Sequence, residues 1–508
     1  MEYSKAAVGC AAALSLLLVL PLEAAEQRDV GLSQSGVRIE AAIVAGPSSG
    51  SPTVLLVGGL AGNDESVHIV EEEVRKFETI RQDRRQFQLI AIPLANPDAN
   101  RLQFPPAGVA YRENAESHAL WRWIGIHAPD LVIVAADDDF GLSDALSKSV
   151  VAGTGRIPAR RLSIKDIKDR LLQSLPRDIP PSEAHREVDR RLHRTARQVA
   201  AELAEVYGHD FNQLTYIPGL ALIGQLRLGR TTQVERLAAP YVDGSKKPLE
   251  RPGSLTLAGH LVFAELAERT GDPRYVELVR KAANLGFTDA GEMKESMPFH
   301  DEMSDSVFMA VPLLVKAGKL TGDNRYFEMA LRHLAFMQKL VLRPDGLYRH
   351  SPLTDAAWGR GNAFPALGLM LALSDLPVTH PQFSPLLRAF RQHMDALASV
   401  QDDDGLWREV IDRRGAYPEF SATAMIATSM LRGINNGWLD WDKFQPLVDK
   451  AWAAILARTA ADGTLLDVCE STNKQPSVND YLRRAAILDR DPRGGAMALM
   501  FALEMAGL

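Results

Sequence analysis

Leu266-Ala-Glu-Arg-Thr-Gly-Asp-Pro-Arg-Tyr275 returns 51 residues later as Ala317-Gly-Lys-Leu-Thr-Gly-Asp-Asn-Arg-Tyr326. In each copy Thr-Gly-Asp ends one helix and opens the next. Glycine takes the left-handed position that closes a helix, and aspartate accepts from the free N–H groups of the helix that follows. A second signature interleaves with the first. Asp345-Gly-Leu-Tyr348, Asp404-Gly-Leu-Trp407 and Asp462-Gly-Thr-Leu465 recur at spacings of 59 and 58 residues. Two turn signals alternating at one period describe a helical hairpin of roughly 50 to 60 residues as the repeating unit. Residues 183–508 hold about six such units. Six hairpins closing on themselves give an all-α (α/α)6 barrel, and an open solenoid satisfies the same periods. The last segment, Gly494 to Leu508, is apolar and needs burial, which favours closure.

Upstream of Ser182 the pattern changes. Val54-Leu-Leu-Val-Gly58, Phe87-Gln-Leu-Ile-Ala-Ile92 and Leu131-Val-Ile-Val134 are short apolar runs bounded by turn residues, the mark of buried strands. Val67–Phe77 and Ala115–Ile126 between them have helical spacing. Strands alternating with helices predict a mostly parallel sheet with both faces covered. Residues 146–182, basic from Arg156 to Arg170 and punctuated by prolines, read as a helical linker. The predicted fold class is multi-domain: an α/β domain over 26–145, this linker, and a barrel of six helical hairpins over 183–508.

The chain has 508 residues, 46% hydrophobic and 24% charged, with a formal net charge of −7. No dense Lys/Arg face is present, which argues against nucleic acid as a partner. Lys5 followed by the apolar run Ala6–Leu20, with Ala24 and Ala25 behind it, reads as a signal peptide over residues 1–25. It predicts export to the periplasm or beyond the cell, with any membrane contact made through this leader. The two cysteines are Cys10, inside the leader, and Cys469, so no disulfide is expected within the mature chain.

Chemistry concentrates between Met297 and Phe364. A carboxylate-rich loop holding His300, Asp301 and Asp305 runs into a helix. Gly346-Leu-Tyr-Arg-His350 and Trp358-Gly-Arg-Gly-Asn-Ala-Phe364 follow. A carboxylate at a helix start is favoured in its charged form by the free N–H groups there. Burial beside Phe308 and Trp358 would oppose that. In a barrel alternate loops gather at one end, which brings Tyr348 and Trp407 together. They either stack on sugar rings there or pack on their own hairpins.

These stretches resemble the unsaturated uronyl hydrolases, the rhamnogalacturonyl and glucuronyl enzymes. The resemblance lies in Asp305-Ser-Val-Phe-Met-Ala-Val-Pro312, Asp345-Gly-Leu-Tyr-Arg-His350, Trp358-Gly-Arg-Gly-Asn362, Tyr417-Pro-Glu-Phe-Ser-Ala-Thr-Ala-Met425 and Leu431-Arg-Gly433, with a weaker match at Thr215–Gly224. It implies a six-hairpin glycosidase acting on oligosaccharides released by polysaccharide lyases, with no metal and no cofactor. The terminal sugar of such fragments carries a C4=C5 enol ether. The implied reaction is hydration: an acid protonates C4, water adds at C5, and the hemiketal opens to release the neighbouring sugar. The resemblance implies Asp305 as that acid and His350 as a residue orienting substrate or water. Asp301 either tunes Asp305 or caps its loop. His300 either touches substrate or faces solvent. Trp358 and Phe364 offer stacking faces, Phe364 standing where the family has a second tryptophan. Arg360 pairs with the substrate carboxylate or with a structural carboxylate. Asn362 can donate to and accept from sugar hydroxyls. Near Arg251-Pro-Gly-Ser254, where family members place an Asp after a Leu, this chain has none. That departure motivates a second reading, a non-catalytic carbohydrate-binding barrel.

The front part resembles zinc carboxypeptidases at Gly58-Gly-Leu-Ala-Gly-Asn-Asp-Glu65, Asn96-Pro-Asp98, Asn100-Arg101 with Phe104-Pro105, and Pro129–Ile133. It departs at the ligands. Ala61 and Ala136 stand for the two histidines and Asp64 for the glutamate, and a zinc site needs three protein ligands. The expectation is an inactive scaffold. A zinc carboxypeptidase with a helical accessory domain is the third reading.

Overall fold

The structure, a computed structural model, describes residues 25–167, 171–172, 175–176 and 178–508. The leader read at 1–25 lies outside them except for Ala25. The front domain is a six-stranded sheet. Its strands are β1 (Glu26–Leu32), β2 (Arg38–Val44), β3 (Thr53–Val57), β4 (Gln88–Ile92), β5 (Leu131–Ala135) and β6 (Ala159–Leu162), in the order β1-β2-β4-β3-β5-β6. β4, β3, β5 and β6 run parallel, and β1 and β2 add antiparallel at one edge. The central strands are the three apolar runs read from the sequence. Both their faces are buried, under α1 (Glu65–Glu78), α2 (Ala115–His127) and α3 (Leu142–Lys148). One expectation is corrected: the front domain does not stop at 145. The end of α3 and the whole sixth strand lie inside the stretch read as linker. β6 reads Ala-Arg-Arg-Leu, an edge strand whose polar residues hide the apolar signal. Of the helix expected within the linker, the described residues show a short turn at Ile164–Asp166, and part of the stretch after it lies outside the description.

Ser182 caps α4 (Glu183–Leu192), and the barrel follows. Its outer helices are α5 (Ala196–Val206), α7 (Thr231–Val242), α10 (Pro273–Ala283), α12 (Asn324–Val341), α14 (Phe383–Ala398) and α16 (Trp441–Ala457). Its inner positions are α6 (Tyr216–Arg227), α8 (Ser254–Gly259) continued by α9 (Leu261–Thr270), α11 (Ser306–Thr321), α13 (Gly359–Asp375), α15 (Phe420–Asn435) and α18 (Pro492–Met505). The outer helices bury one stripe each, whereas α11, α13 and α15 are buried nearly all round. Each inner helix packs on the next, and α18 returns to α6. The ring is therefore closed, not an open solenoid. The seam is tight: a Cβ on Gly224 of α6 would stand 2.6 Å from Leu499 of α18.

The turn chemistry follows the sequence reading. Gly271 and Gly322 have φ of 71° and 74°, and Asp272 and Asp323 accept from the N–H groups of Arg274 and Arg325. These turns are the short inner-to-outer connections. The long outer-to-inner connections carry the Asp-Gly signature, so the N-termini of the inner helices share one end of the barrel. The last such connection holds a two-stranded hairpin, β7 (Leu465–Cys469) and β8 (Ala486–Asp489), with the short α17 (Val478–Leu482) between the strands. The front domain packs against this end through Arg28–Asp404, Arg408–Asp29 and the buried Arg122–Asp467 pair. Among the described residues no helix is long and apolar enough to cross a membrane.

Candidate active site

Asp305 stands at the N-terminus of α11 but does not cap it; its side chain makes no hydrogen bond to the helix. The carboxylate faces the barrel mouth, 17% exposed. The loop before it is stitched to the next hairpin, since Ser304 N–H donates to the His350 carbonyl at 2.9 Å. That bond brings the two halves of the Met297–Phe364 stretch together. His350 is fully buried, and its Nε2 lies 3.2 Å from Asp305 Oδ2. The two are not aligned as a hydrogen bond, and both atoms are buried without another partner. The other ring nitrogen, Nδ1, is 2.8 Å from the Tyr481 hydroxyl of α17. The Tyr481 oxygen already accepts from Gln475 N–H at 3.1 Å. With the Tyr481 proton donated to Nδ1, the His350 proton stands on Nε2, toward Asp305, and this is the tautomer the site needs.

Beneath this pair lies a buried polar cluster. Trp358 packs on the His350 ring at 4.6 Å and donates its indole N–H to Glu409 Oε1 at 2.9 Å. The Arg360 guanidinium lies 5.0 Å from the centre of the Trp358 ring. Its Nη1 donates to Ser421 Oγ at 3.1 Å and to the Cys469 carbonyl at 2.9 Å, and stands 3.7 Å from Glu419. Glu419 is spent within the fold, accepting from the N–H groups of Ser421 and Ala422 at the start of α15 and from Cys469 N–H.

The remaining sequence candidates divide. Asn362 is a staple: Oδ1 accepts from Tyr348 N–H, and Nδ2 donates to the Tyr348 and Trp358 carbonyls. Its hydrogen-bonding capacity is largely occupied within the protein. Phe364 stacks on Phe308 at 5.6 Å and meets Tyr216 edge-on inside the barrel. Tyr348 and Trp407 pack on their own hairpins, the first against His393 and the second donating to the Leu397 carbonyl. All four are buried; this corrects the expectation that Asn362 and Phe364 offer a donor or a face to a sugar, and for Tyr348 and Trp407 it favours the packing alternative. Trp358 and Arg360 are equally enclosed, with 1% exposure each, so Arg360 pairs with a protein carboxylate here. His300 rests edge-on against Phe336, and burial holds its pKa below the usual value. Asp301 is exposed on the rim, where Phe299, Asp301 and Glu302 all have positive φ.

Three groups escape the sequence reading: Tyr481, Glu409 and Tyr216. Tyr216 opens α6; burial pushes its hydroxyl up to about 12, with Arg360 opposing and Asp305 adding to the shift.

The sequence profile of Glycosyl Hydrolase Family 88 matches residues 192–508, the whole barrel. The chain belongs to this family. Unsaturated rhamnogalacturonyl hydrolase YesR of Bacillus subtilis is 28% identical over 242 residues, covering 44% of this chain and 68% of that protein. An unsaturated 3S-rhamnoglycuronyl hydrolase of Alteromonas is 29% identical over 172 residues, covering 32% of this chain and 42% of that protein. Among solved structures, a family 88 glycosyl hydrolase from Bacteroides vulgatus superposes with a TM-score of 0.53 at 17% identity, covering 62% of this chain and 100% of the other. A family 105 glycoside hydrolase from C. acetobutylicum gives 0.52 at 19%, with 62% and 99% covered. At these identities the structural likeness shows the fold.

This family 88 protein is therefore a glycoside hydrolase, and the family match selects that reading over the non-catalytic and peptidase alternatives. The carboxypeptidase likeness of the front domain rests on its motifs alone. Asp64, standing for the zinc-binding glutamate, has a structural task, since it caps α1 by accepting from Ser66 N–H at 2.9 Å. Among the described residues no three His, Cys, Asp or Glu side chains gather as a ligand set.

Glu409 makes the family 88 barrel sensitive to pH. Burial, followed by the Glu419 carboxylate, pushes its pKa up to about 8. A group whose pKa rises on folding binds its proton more tightly when folded. Its contribution to stability is full below the ordinary value near 4.5 and is lost as pH rises toward 8. Urea midpoints of the wild type should accordingly fall between about pH 5 and about pH 8, and Glu409→Gln should flatten that fall. An unchanged slope in the variant would show that Glu409 is not the protonated group.

Proposed function

We propose that this glycoside hydrolase removes 4,5-unsaturated uronic acid from the non-reducing end of polysaccharide-lyase products. Asp305 delivers its proton to C4 of the enol ether, and the cation that develops at C5 takes up water, whose proton returns to the carboxylate. The resulting hemiketal opens at C5, and the hemiacetal left at C1 releases the neighbouring sugar. No glycosyl–enzyme bond is needed, so a single carboxylate suffices, in contrast to two-carboxylate glycosidases. The observation that carries this reading is Asp305 itself: a partly exposed carboxylate at the barrel mouth, uncommitted to helix capping, facing His350 Nε2 at 3.2 Å. The names of the relatives, which act on unsaturated rhamnogalacturonyl and rhamnoglycuronyl groups, support the substrate class. Read with the leader at 1–25, the enzyme works after export, where such fragments are made.

The test uses unsaturated di-uronides in heavy water. The ultraviolet absorbance of the conjugated double bond should disappear, and the product should carry one deuterium at C4. Cleavage of saturated uronides with the unsaturated ones left intact would overturn the proposal.

A further inference from the structure

The hairpin β7–β8 has a defect that points out of the barrel. Its register slips between Leu466 and Val468, and Asp467, the residue in the slip, is a buried non-glycine with φ of 66°. A left-handed aspartate in a strand is a strained bulge, and it persists only where its surroundings hold it. The holding groups come from the front domain. Arg122 of α2 forms a buried ion pair with the Asp467 carboxylate and donates to the carbonyl of Ala486 on β8 at 3.2 Å. It therefore grips both strands of the hairpin. The Tyr111 hydroxyl adds a hydrogen bond to Asp467 at 3.2 Å. Its ring lies under the Arg122 guanidinium at 5.2 Å and stacks on Tyr417 of the barrel at 4.5 Å.

What this hairpin carries matters for the site. Two residues beyond the bulge, Cys469 supplies the N–H that Glu419 accepts and the carbonyl that Arg360 holds. Between the two strands the chain crosses the mouth and places the Tyr481 hydroxyl on His350. Arg112 of the front domain, 3.8 Å from Glu470, touches the start of that crossing.

We propose that the front domain is a working part of the barrel's active site: Arg122 and Tyr111 fix the Asp467 bulge and so seat Tyr481, the positioning residue that turns His350 Nε2 toward Asp305. This rests on Asp305 as the proton donor, so one arm of the test is independent of turnover.

Tyr481→Phe keeps the ring against His350 and removes only the hydroxyl. It should lower kcat about tenfold, leave KM within about twofold, and displace the acid limb of the pH profile. Arg122→Gln should give the same signature from the other domain, and Arg122→Lys should restore part of it. The double variant Tyr481→Phe with Arg122→Gln should be little worse than either single change, because both act through one contact. In hydrogen–deuterium exchange, Arg122→Gln should speed exchange over 470–485 about tenfold while α5 and α6 stay as in the wild type. Wild-type kcat, pH profile and exchange in Arg122→Gln would overturn the inference. Absence of wild-type turnover would instead overturn the uronyl reading, and the exchange result alone would then decide this one.

Discussion

Asp305→Asn should lose about three to four orders of magnitude in kcat, the upper range for removing a general acid–base group, with KM changed only a few-fold. The size follows from the proposed chemistry. One carboxyl gives the proton to C4 and receives one from the attacking water, so an amide, which does neither, blocks both halves of the step. His350 cannot substitute for it, because its ring is buried and its other nitrogen is engaged with Tyr481. The loss should not come from unfolding. Asp305 makes no capping hydrogen bond to α11, and asparagine has nearly the same shape. The variant should therefore keep the wild-type urea midpoint, and should bind an unsaturated di-uronide without consuming it. The check is the ultraviolet assay at saturating substrate, with circular dichroism on the same sample. A variant retaining more than about a tenth of wild-type kcat would sink the assignment of Asp305 as the acid.

The barrel is legible in the sequence because its signals are local. Thr-Gly-Asp encodes a left-handed cap and an N-cap within three residues, and Gly271 and Gly322 adopt the conformation that this chemistry demands. The apolar tail closes the ring because α18 is buried along most of its length and packs between α15 and α6, with α5 outside it. β1, β2 and β6 are harder to read. They sit toward the edges of the sheet and mix polar with apolar residues, so no continuous run marks them. At the site, Asp305 and His350 are readable from motif, yet their partners come from other hairpins. Tyr481 reaches His350 from 131 positions away and Glu409 reaches Trp358 from 51. No periodicity reports such pairs. Glu419 has a local signal, an acidic residue directly before the Phe420–Asn435 helix, which is where an N-cap carboxylate belongs. Motif resemblance also overstates contact with substrate. Asn362, Phe364, Tyr348 and Trp407 lie in conspicuous motifs, and each is buried against other protein groups.

Arg360→Leu should be the most destabilising single change in the barrel, at about 3 to 5 kcal/mol, the range for removing one partner of a buried ion pair. Arg360 stands 3.7 Å from Glu419, both side chains fully buried, and it favours the charged form of Glu409 where that group ionises. Burial works against its positive charge, while Cys469, Glu419 and Glu409 favour it, and the balance keeps the guanidinium charged. Among these neighbours Glu419 is the carboxylate that matters most, because burial pushes the Cys469 thiol far up and leaves it neutral. Leucine fills much of the space but strands Glu419, and the Cys469 carbonyl loses its donor. Arg360→Lys keeps the charge without the fork that reaches Ser421 Oγ and the Cys469 carbonyl together, and should fall between leucine and wild type. The decisive comparison is a double change. If Glu419 is what Arg360 compensates, adding Glu419→Gln to Arg360→Leu should recover part of the loss, although each single change is harmful. Urea midpoints with unchanged m-values measure this directly. A loss under about 1 kcal/mol for Arg360→Leu would mean that the buried charge cluster is compensated elsewhere. It would also reopen Arg360 as a group held in reserve for the substrate's carboxylate, since its Nη2 is buried without a partner.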